Sequence, residues 1–520
     1  MEIALALSGG GYRAAIYHLG VLEYLNSCVL DDDRTLLDEV KTISGVSGGA
    51  LVALWYVQNE IKREDRDKSL TDLYSRLCST NIAEQTIKEY YLKDFKGDTL
   101  VQALSNVYDK LLFKGSKFGS IMDMAENGPI HHFSVEATDF SSGIPFRFQA
   151  TNNLGGDHPY GLIGNQPNKV PRALAREFRL CDIAAASSCF PMAFEPLVIN
   201  ENYCDEFKES AYFNSGKSIV LMDGGVVDNQ AIDSVEKACQ HLETHDSKMD
   251  LCIISDAVNP NISQYERVEP VGSEISFNDI RKLLKGTCMA GIALTCLYPI
   301  SKMVSGTGVL LTLLSAFSLC KMDQITKRLL LKVPQEYKPI LNEAHVEEIK
   351  AKDIMRFSLN RINSLHLMTS EVVMQHIRRQ RMSQVFAPED HPWLLNAQYN
   401  LKDGGYWKKQ MIKLDLPSSM RPTKEMFDIA DEANDMPTTL WFTPKNITDN
   451  LPLKILASGQ FITCWNLLCH IKEQKLKHPE RQIELNALEE KMEKDWEEFK
   501  ANPMCKTSNF KYNIKREHYV

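Results

Sequence analysis

The chain begins with two successive units in which a short apolar run meets a glycine-rich turn and then a helix-like stretch. Residues 3–7 form the first apolar run, and the stretch 12–26 places leucine and isoleucine at helical spacing. Residues 40–43 and 51–57 repeat this order around a second glycine turn. Both units therefore predict a buried strand, a tight turn and a helix.

Three further apolar runs have the length of buried strands, at residues 133–137, 218–222 and 251–255. Polar or helix-like sequence separates them. Continuous apolar strands alternating with helices are typical of a sheet that is covered on both faces. The pattern predicts an α/β domain over residues 1–260.

The second half of the chain has a different pattern. Residues 287–320 carry a single charge, Lys302. Charged amphipathic stretches follow, ending in a helix-like tail at 481–500. We therefore expect an apolar segment over 261–334, with membrane contact as one alternative, and a mainly helical region over 335–520.

The apolar segment has two interpretations. A membrane-spanning helix needs about 20 apolar residues, whereas Lys302 divides this segment into runs of 15 and 18 residues, and Pro299 interrupts the first. Basic residues flank it on both sides, which favours contact with anionic lipid. The alternative is a pair of helices packed over the catalytic domain.

Charge and the N-terminal residues limit the function and the location. The net charge of −9 argues against a general nucleic-acid binder, because phosphate neutralisation needs a basic face. The N-terminus lacks the basic start of a signal peptide. We expect a cytoplasmic protein, with association at or anchoring in the inner membrane as a further option. The oligomeric state is not indicated.

The strongest chemical signal is Ser47 within the turn Gly45-Val46-Ser47-Gly48-Gly49. A nucleophile elbow needs small flanking residues, because the backbone turns sharply between a strand and a helix to present the hydroxyl. Such a pentapeptide also occurs in purely structural turns.

A second glycine turn, Gly9-Gly10-Gly11-Tyr12-Arg13, joins the first predicted strand to its helix. Consecutive backbone amides at a helix N-terminus favour developing negative charge, so the loop suits an oxyanion hole. A dinucleotide-binding loop and a structural turn are equally compatible with this sequence alone.

A serine nucleophile needs a base. The histidines offer no clear candidate, and we expect His131, His132, His241 and His245 to be surface residues. Asp223 closes an apolar run and is followed by Gly224 and Gly225, which give it room to approach another loop. A carboxylate can act as a general base, although Asp/Gly turns are also common structural features.

The ordered set GGGYRA, GVSGG and DGG resembles the patatin-like phospholipase family over roughly residues 3–260. Two softer similarities lie between them, at 136–139 with Gly143 and at 186–191. The long region after the catalytic domain resembles that of bacterial members. The resemblance implies a three-layer α/β/α domain that uses a Ser/Asp dyad without a metal or cofactor.

Carried over to this chain, the resemblance implies Ser47 as nucleophile and Asp223 as base. It assigns the oxyanion loop to Gly9, Gly10, Gly11 and Arg13, the nucleophile elbow to Gly45 and Gly49, and the acid loop to Gly224 and Gly225. Ala14 stands where the family usually has glycine. Arg13 would either steer an anionic headgroup or stabilise the loop.

The expected function is hydrolysis of fatty acyl esters in membrane glycerolipids, through an acyl-enzyme on Ser47. The partners expected are the lipid substrate and a membrane surface. The alternative is a membrane-associated effector or sensor whose lipase activity is idle, or is switched on by a signal molecule.

Overall fold

The structure is a computed structural model. It describes residues 2–30, 34–59, 65–152, 162–191, 193–214, 216–243, 248–259, 264–269, 277–295, 309–321, 324, 350–388, 392–402, 405–479 and 482–511.

A mixed β-sheet forms the centre of the fold. Its main path within the described residues runs β10-β9-β1-β2-β3-β4-β5-β6, with β8 paired to β3 and β7 paired to β8. The five strands from β10 to β3 are parallel, and the remaining pairings are antiparallel. The strands are β1 (Ile3–Leu7), β2 (Val40–Val46), β3 (His132–Asp139), β4 (Pro145–Thr151), β5 (Ile163–Gly164), β6 (Lys169–Val170), β7 (Leu197–Ile199), β8 (Ile219–Asp223), β9 (Leu251–Asp256) and β10 (Trp393–Ala397).

Within residues 1–262 and 369–520, helices lie on both faces of the sheet. The α-helices are α1 (Gly11–Ser27), α2 (Gly48–Gln58), α3 (Arg66–Cys78), α4 (Ile82–Tyr90), α5 (Leu100–Tyr108), α6 (Phe118–Asn127), α7 (Arg172–Ala175), α8 (Leu180–Ser188), α9 (Asp205–Glu209), α10 (Gly225–Asp228), α11 (Ile232–Glu243), α12 (Phe277–Thr295), α13 (309–321), α14 (Ala351–Leu367), α15 (Met374–Val385), α16 (Trp407–Lys413), α17 (Lys424–Asp435), α18 (Pro444–Thr448), α19 (Leu451–Lys477) and α20 (Gln482–Ala501).

Both faces of strand β1 are buried, which explains why its sequence is apolar throughout. Side chains alternate between the two faces of a strand. Leu5 and Leu7 belong to the core that includes α1 and α2, whereas Ala4 and Ala6 belong to a second core with Ile232 of α11. The mixed sheet with helices around it and the helical C-terminal region confirm the expected α/β class.

The carboxyl ends of β1 and β2 lie side by side, because the two strands are parallel neighbours. The glycine loop before α1 and the Ser47 turn before α2 therefore meet at one edge of the sheet. Strand β8 runs antiparallel to β3 and pairs Asp223 with Ala137. This pairing brings the end of β8 to the same edge.

Most of the C-terminal region, from residue 369 onwards, is part of the same compact unit as the sheet. Residues 1–262 and 369–520 form one unit, and residues 263–368 form another. Strand β10 extends the sheet beyond β9, and α19 packs along α1. The expected division at residues 260 and 334 stays a prediction. Within the expected apolar segment, residues 261–263, 270–276, 296–308, 322–323 and 325–334 lie outside the described residues.

Among the described helices, none combines the length and the apolar character needed to cross a bilayer.

Candidate active site

Ser47 occupies the turn between β2 and α2 in a left-handed backbone conformation, with φ of 52° and ψ of −117°. Residues other than glycine rarely adopt positive φ, so the surrounding structure holds this conformation against strain. Contacts with Gly11 fix the turn on one side, since a Cβ atom on Gly48 would lie 2.2 Å from the Gly11 carbonyl oxygen. The turn and the glycine loop are thus in direct backbone contact.

At the two glycines predicted to flank the nucleophile, neighbouring backbone atoms leave no room for a side chain. A Cβ atom on Gly45 would lie 2.7 Å from the carbonyl oxygen of Gly49, and one on Gly49 would lie 2.3 Å from that of Leu7. Backbone oxygens at such distances cannot give way cheaply, so larger residues would displace the start of α2 from β1.

The hydroxyl of Ser47 donates a hydrogen bond to Asp223, with 3.1 Å between Oγ and Oδ2. Asp223 ends β8, and its other carboxyl oxygen accepts a hydrogen bond of 2.7 Å from the Gly225 amide. The two side chains are largely removed from solvent, with exposed fractions of 9% for Ser47 and 3% for Asp223. The structure therefore places the two residues predicted to form a dyad in direct contact.

Burial raises the pKa of Asp223 to about 7, against the hydrogen bonds from Gly225 and Ser47 that lower it. Burial disfavours the charged form of a carboxyl group. A base whose pKa lies near neutrality accepts a proton efficiently and still loses it again during a catalytic cycle.

The two glycines after Asp223 allow close packing around the carboxylate. A Cβ atom on Gly224 would lie 2.3 Å from the Glu136 carbonyl oxygen, and one on Gly225 would lie 2.6 Å from Oδ1 of Asn229. The acid loop is therefore pressed against β3 on one side and against the Asn229 side chain on the other.

The glycine loop lies beside Ser47. A Cβ atom on Gly9 would lie 3.1 Å from the Cβ atom of Ser47. Gly10 and Gly11 have φ values of 138° and 61°, which favour glycine. The Gly9 amide donates to the Asn229 carbonyl at 2.9 Å.

Arg13 lies on the first turn of α1, but its guanidinium group points into the C-terminal region. Nη1 donates to the carbonyl oxygens of Asn434 and Met436, at 2.9 and 2.5 Å. The side chain is buried, with an exposed fraction of 5%. Of the two roles considered for Arg13, these contacts fit stabilisation of the loop.

Ser187 on α8 contacts both halves of the site, a function that its place in the Ala/Ser-rich segment did not reveal. Its hydroxyl accepts a hydrogen bond of 2.9 Å from the Ser47 amide and donates one of 2.6 Å to the Glu136 carbonyl. Its carbonyl accepts from the Gly224 amide at 3.3 Å. One residue thus links the nucleophile turn to the acid loop.

Asn229 is a second residue at the site whose contacts the sequence did not reveal. Its backbone carbonyl accepts from Gly9, while its side chain lies against the positions of Gly9 and Gly225. Asn229 follows Asp223 by six positions in the sequence Gly-Gly-Val-Val-Asp-Asn, which carries no local signal for these contacts.

The expectation that the four histidines are surface residues was wrong for two of them. His132 and His241 are buried, with ring centroids 5.9 Å apart, and Nδ1 of His132 is 2.7 Å from the Thr151 hydroxyl. Burial lowers the pKa of His132 to about 3. His245 lies outside the described residues.

Comparisons with known proteins give one family. Residues 5–235 match the family model described as Patatin-like phospholipase. No curated protein matches the chain. The match covers the glycine loop, the Ser47 turn and the Asp223 loop, and it confirms the resemblance predicted from these motifs. The match supports lipid hydrolysis as the general activity of this domain. Residues 5–235 of this chain are a patatin-like phospholipase domain.

Proposed function

We propose that this protein is a serine acyl hydrolase that cleaves fatty acyl esters of membrane glycerolipids, with Ser47 as nucleophile and Asp223 as base. The observation that carries the proposal is the 3.1 Å hydrogen bond from Ser47 Oγ to Asp223 Oδ2 inside a patatin-like domain.

The reaction begins when Asp223 accepts the Ser47 proton and Oγ attacks the ester carbonyl carbon. The carbonyl π electrons move onto oxygen, which gives a tetrahedral oxyanion. The C–O bond of the ester then breaks, and Asp223 returns the proton to the departing alkoxide, which leaves as the lysolipid. Water, deprotonated by Asp223, releases the fatty acid from Ser47 and restores the dyad.

Backbone amides of the glycine loop are proposed to stabilise the oxyanion. The amides of Gly9 and Tyr12 already donate to the carbonyls of Asn229 and Thr439. Within the described part of the chain, we find no acceptor outside α1 for the amides of Gly10 and Gly11. These two amides are therefore the proposed donors, at the positive end of the α1 dipole.

The direct test is mass spectrometry of lipid products from vesicles of mixed bacterial phospholipids. We expect free fatty acid and lysophospholipid from the wild type, and a loss of about a thousandfold or more in Ser47→Ala and Asp223→Asn. Ser120→Ala, an exposed serine at the start of α6, is the matched control and should keep full activity.

Two outcomes would contradict the proposal. Equal product release by Ser47→Ala would exclude Ser47 as the nucleophile. A wild-type protein that binds vesicles but releases no fatty acid, and does not react with a fluorophosphonate probe, would favour the alternative of an idle effector or sensor.

We further propose that residues 263–368 dock the enzyme on an anionic lipid surface, at the inner membrane. Helix α13 exposes large apolar side chains, including Leu310, Leu313, Leu314 and Phe317, with exposed fractions between 58% and 63%. Contiguous exposed apolar side chains of this kind mark interaction or membrane surfaces in soluble domains.

The orientation of α13 supports this proposal. Its buried Ser315 hydroxyl lies 2.8 Å from the Thr287 hydroxyl of α12, while the leucines face outwards. A helix at a water surface has the opposite arrangement, with apolar side chains inwards. An apolar medium on the outer side of α13 would explain why the leucines face outwards while Ser315 is buried.

Charge selects an anionic bilayer as the proposed occupant. Lys282 and Lys285 of α12 and Lys321 at the end of α13 are exposed. Residues 309–321 contain no acidic residue. Lysine side chains near an apolar surface contribute about 1 kcal/mol each towards binding of anionic lipids.

A further inference from the structure

We propose that residues 434–442, which we call the brace segment, hold the oxyanion loop in its active geometry, with Arg13 as the positioning residue. The segment lies some two hundred residues beyond the end of the patatin-like match at residue 235. The inference rests on the proposed function, since it assigns a role in catalysis to the loop.

The first contact is made by Arg13. Its Nη1 donates to the carbonyls of Asn434, in the last turn of α17, and of Met436 just beyond it. The last carbonyls of a helix have no partner within the helix, and a cation is favourable there. Burial lowers the pKa of Arg13 to about 10, so the group stays charged at neutral pH.

The second contact is made by the backbone of the loop. The Tyr12 amide donates to the Thr439 carbonyl at 2.8 Å. A Cβ atom on Gly11 would lie 2.4 Å from the same oxygen, so only glycine permits this approach. The brace segment therefore satisfies one of the free amides at the N-terminus of α1 and limits where the loop can move.

The brace segment is itself fixed from its other side. The Leu440 carbonyl accepts a hydrogen bond of 3.1 Å from the Ile82 amide at the start of α4. The Tyr12 ring packs on Phe442 with centroids 5.6 Å apart, and its hydroxyl donates to the Thr80 carbonyl at 3.0 Å. The segment is thus clamped between the glycine loop and the region before α4.

The loop transmits the position of the brace segment to the nucleophile. The Gly11 carbonyl lies directly against Gly48, the residue after Ser47, and Gly9 lies against Ser47 itself. A shift of Gly11 would therefore move the proposed oxyanion donors relative to Ser47 Oγ. Displacements of about 1 Å in a catalytic group commonly reduce rates by about a hundredfold.

The test measures turnover of Arg13→Lys and Pro437→Gly on the same lipid. Lysine keeps the positive charge, but its shorter side chain places the ammonium nearer to the backbone than the Nη1 atom that bonds both carbonyls. Pro437 is exposed, and its replacement loosens the segment without touching Arg13. We expect kcat to fall by roughly ten- to a hundredfold in Arg13→Lys and less in Pro437→Gly, with KM nearly unchanged in both.

Arg76→Lys is the matched control. Arg76 also lies on a helix and donates to a distant backbone carbonyl, that of Leu111 at 2.7 Å. Its replacement removes a comparable contact far from the loop, and we expect kcat within about twofold of the wild type.

Hydrogen exchange gives a readout that does not depend on activity. Peptides covering residues 8–19 and 430–443 should lose protection together in Arg13→Lys, while peptides from α6 stay protected. Unchanged kcat and unchanged protection in both variants would overturn the inference. If both peptides lose protection together in Arg13→Lys but the wild type releases no fatty acid, the proposed function is refuted. The structural role of the brace segment would still hold.

Discussion

At the scale of single residues, the burial of Asp223 determines how the proposed reaction depends on pH. The base must be ionised to accept the Ser47 proton, and its pKa is raised to about 7. We expect kcat/KM to rise about tenfold per pH unit up to pH 7 and to level off above it. A profile measured from pH 5 to 9 on a soluble ester checks this. A flat profile over that range would show that Asp223 does not limit the rate.

The same burial predicts that Asp223 destabilises the folded protein at alkaline pH. Because the folded-state pKa is raised, the folded protein binds the proton more tightly than the unfolded chain does. Stability is therefore greatest below the unfolded pKa of about 4 and is lost as pH rises through about 7.

Asp223→Asn should consequently be inactive but more stable than the wild type at pH 8, by about 1–3 kcal/mol in the free energy of unfolding. Urea unfolding at pH 8 and pH 5 measures the difference, which should shrink at the lower pH. An Asn variant less stable than the wild type at pH 8 would contradict the argument.

Ser187 is expected to position the nucleophile. Ser187→Ala leaves the Ser47 amide and the Glu136 carbonyl without the hydroxyl that joins them. We expect kcat to fall by about tenfold or more and stability to fall by about 1–3 kcal/mol. Ser188→Ala is the control, because Ser188 is also buried on α8 but bonds to Ala184 and Tyr108. Equal kcat values for the two variants would exclude a special role for Ser187.

Ser47 and Asp223, the residues of the proposed dyad, could be singled out from the sequence because each follows an apolar run and lies among glycines, which are local patterns. Ser187 and Asn229 could not be assigned their contacts in this way. Their partners Ser47 and Gly9 are far away in the sequence, and the fold alone brings them together. The buried pair of His132 and His241 was missed for the same reason.

At the scale of elements, the crossing of α1 and α19 ties the C-terminal region to the catalytic sheet. A Cβ atom on Gly20 would lie 2.1 Å from the Leu456 carbonyl oxygen, and one on Gly459 would lie 2.3 Å from that of Tyr17. The two helix backbones are therefore in contact, and any larger side chain must push them apart.

Gly20→Ala and Gly459→Ala should each destabilise the protein by about 1–3 kcal/mol, because overpacking displaces backbone atoms. Thermal unfolding measures the loss. Gly286→Ala is the control, since a Cβ atom there meets nothing within 4 Å and alanine favours the helix. A loss confined to Gly286→Ala, or absent from all three variants, would refute the close crossing.

Elements with continuous apolar sequence were predicted well, and β1, β2, β3, β8 and β9 all appear where the apolar runs lie. Strand β10 was not anticipated within a region expected to be mainly helical. Its pairing partner β9 precedes it by well over a hundred residues, and five residues give too short a pattern to recognise. The pairing of β10 with β9 therefore depends on the tertiary fold and not on a local sequence pattern.

At the scale of the whole molecule, the proposed lipid substrate agrees with the exposed apolar side chains of α13. A hydrolase that acts on bilayer lipids gains effective substrate concentration by residing on the bilayer. Leu313 and Leu314 would each transfer apolar area from water to lipid, at about 25 cal/mol per Å². Lys282 and Lys285 would add attraction that depends on salt.

The double variant Leu313→Asn/Leu314→Asn should therefore bind anionic vesicles at least about tenfold more weakly than the wild type. Turnover of a monomeric short-chain ester should not change, because the proposed dyad is untouched. Ile412→Asn serves as the control: Ile412 is 82% exposed on α16, outside the proposed surface. Flotation with anionic and zwitterionic vesicles at two salt concentrations separates the apolar from the electrostatic contribution.

If the leucine variant floats as the wild type does, α13 is not the docking surface. If binding to the two lipid types is equal and independent of salt, the lysines take no part in it.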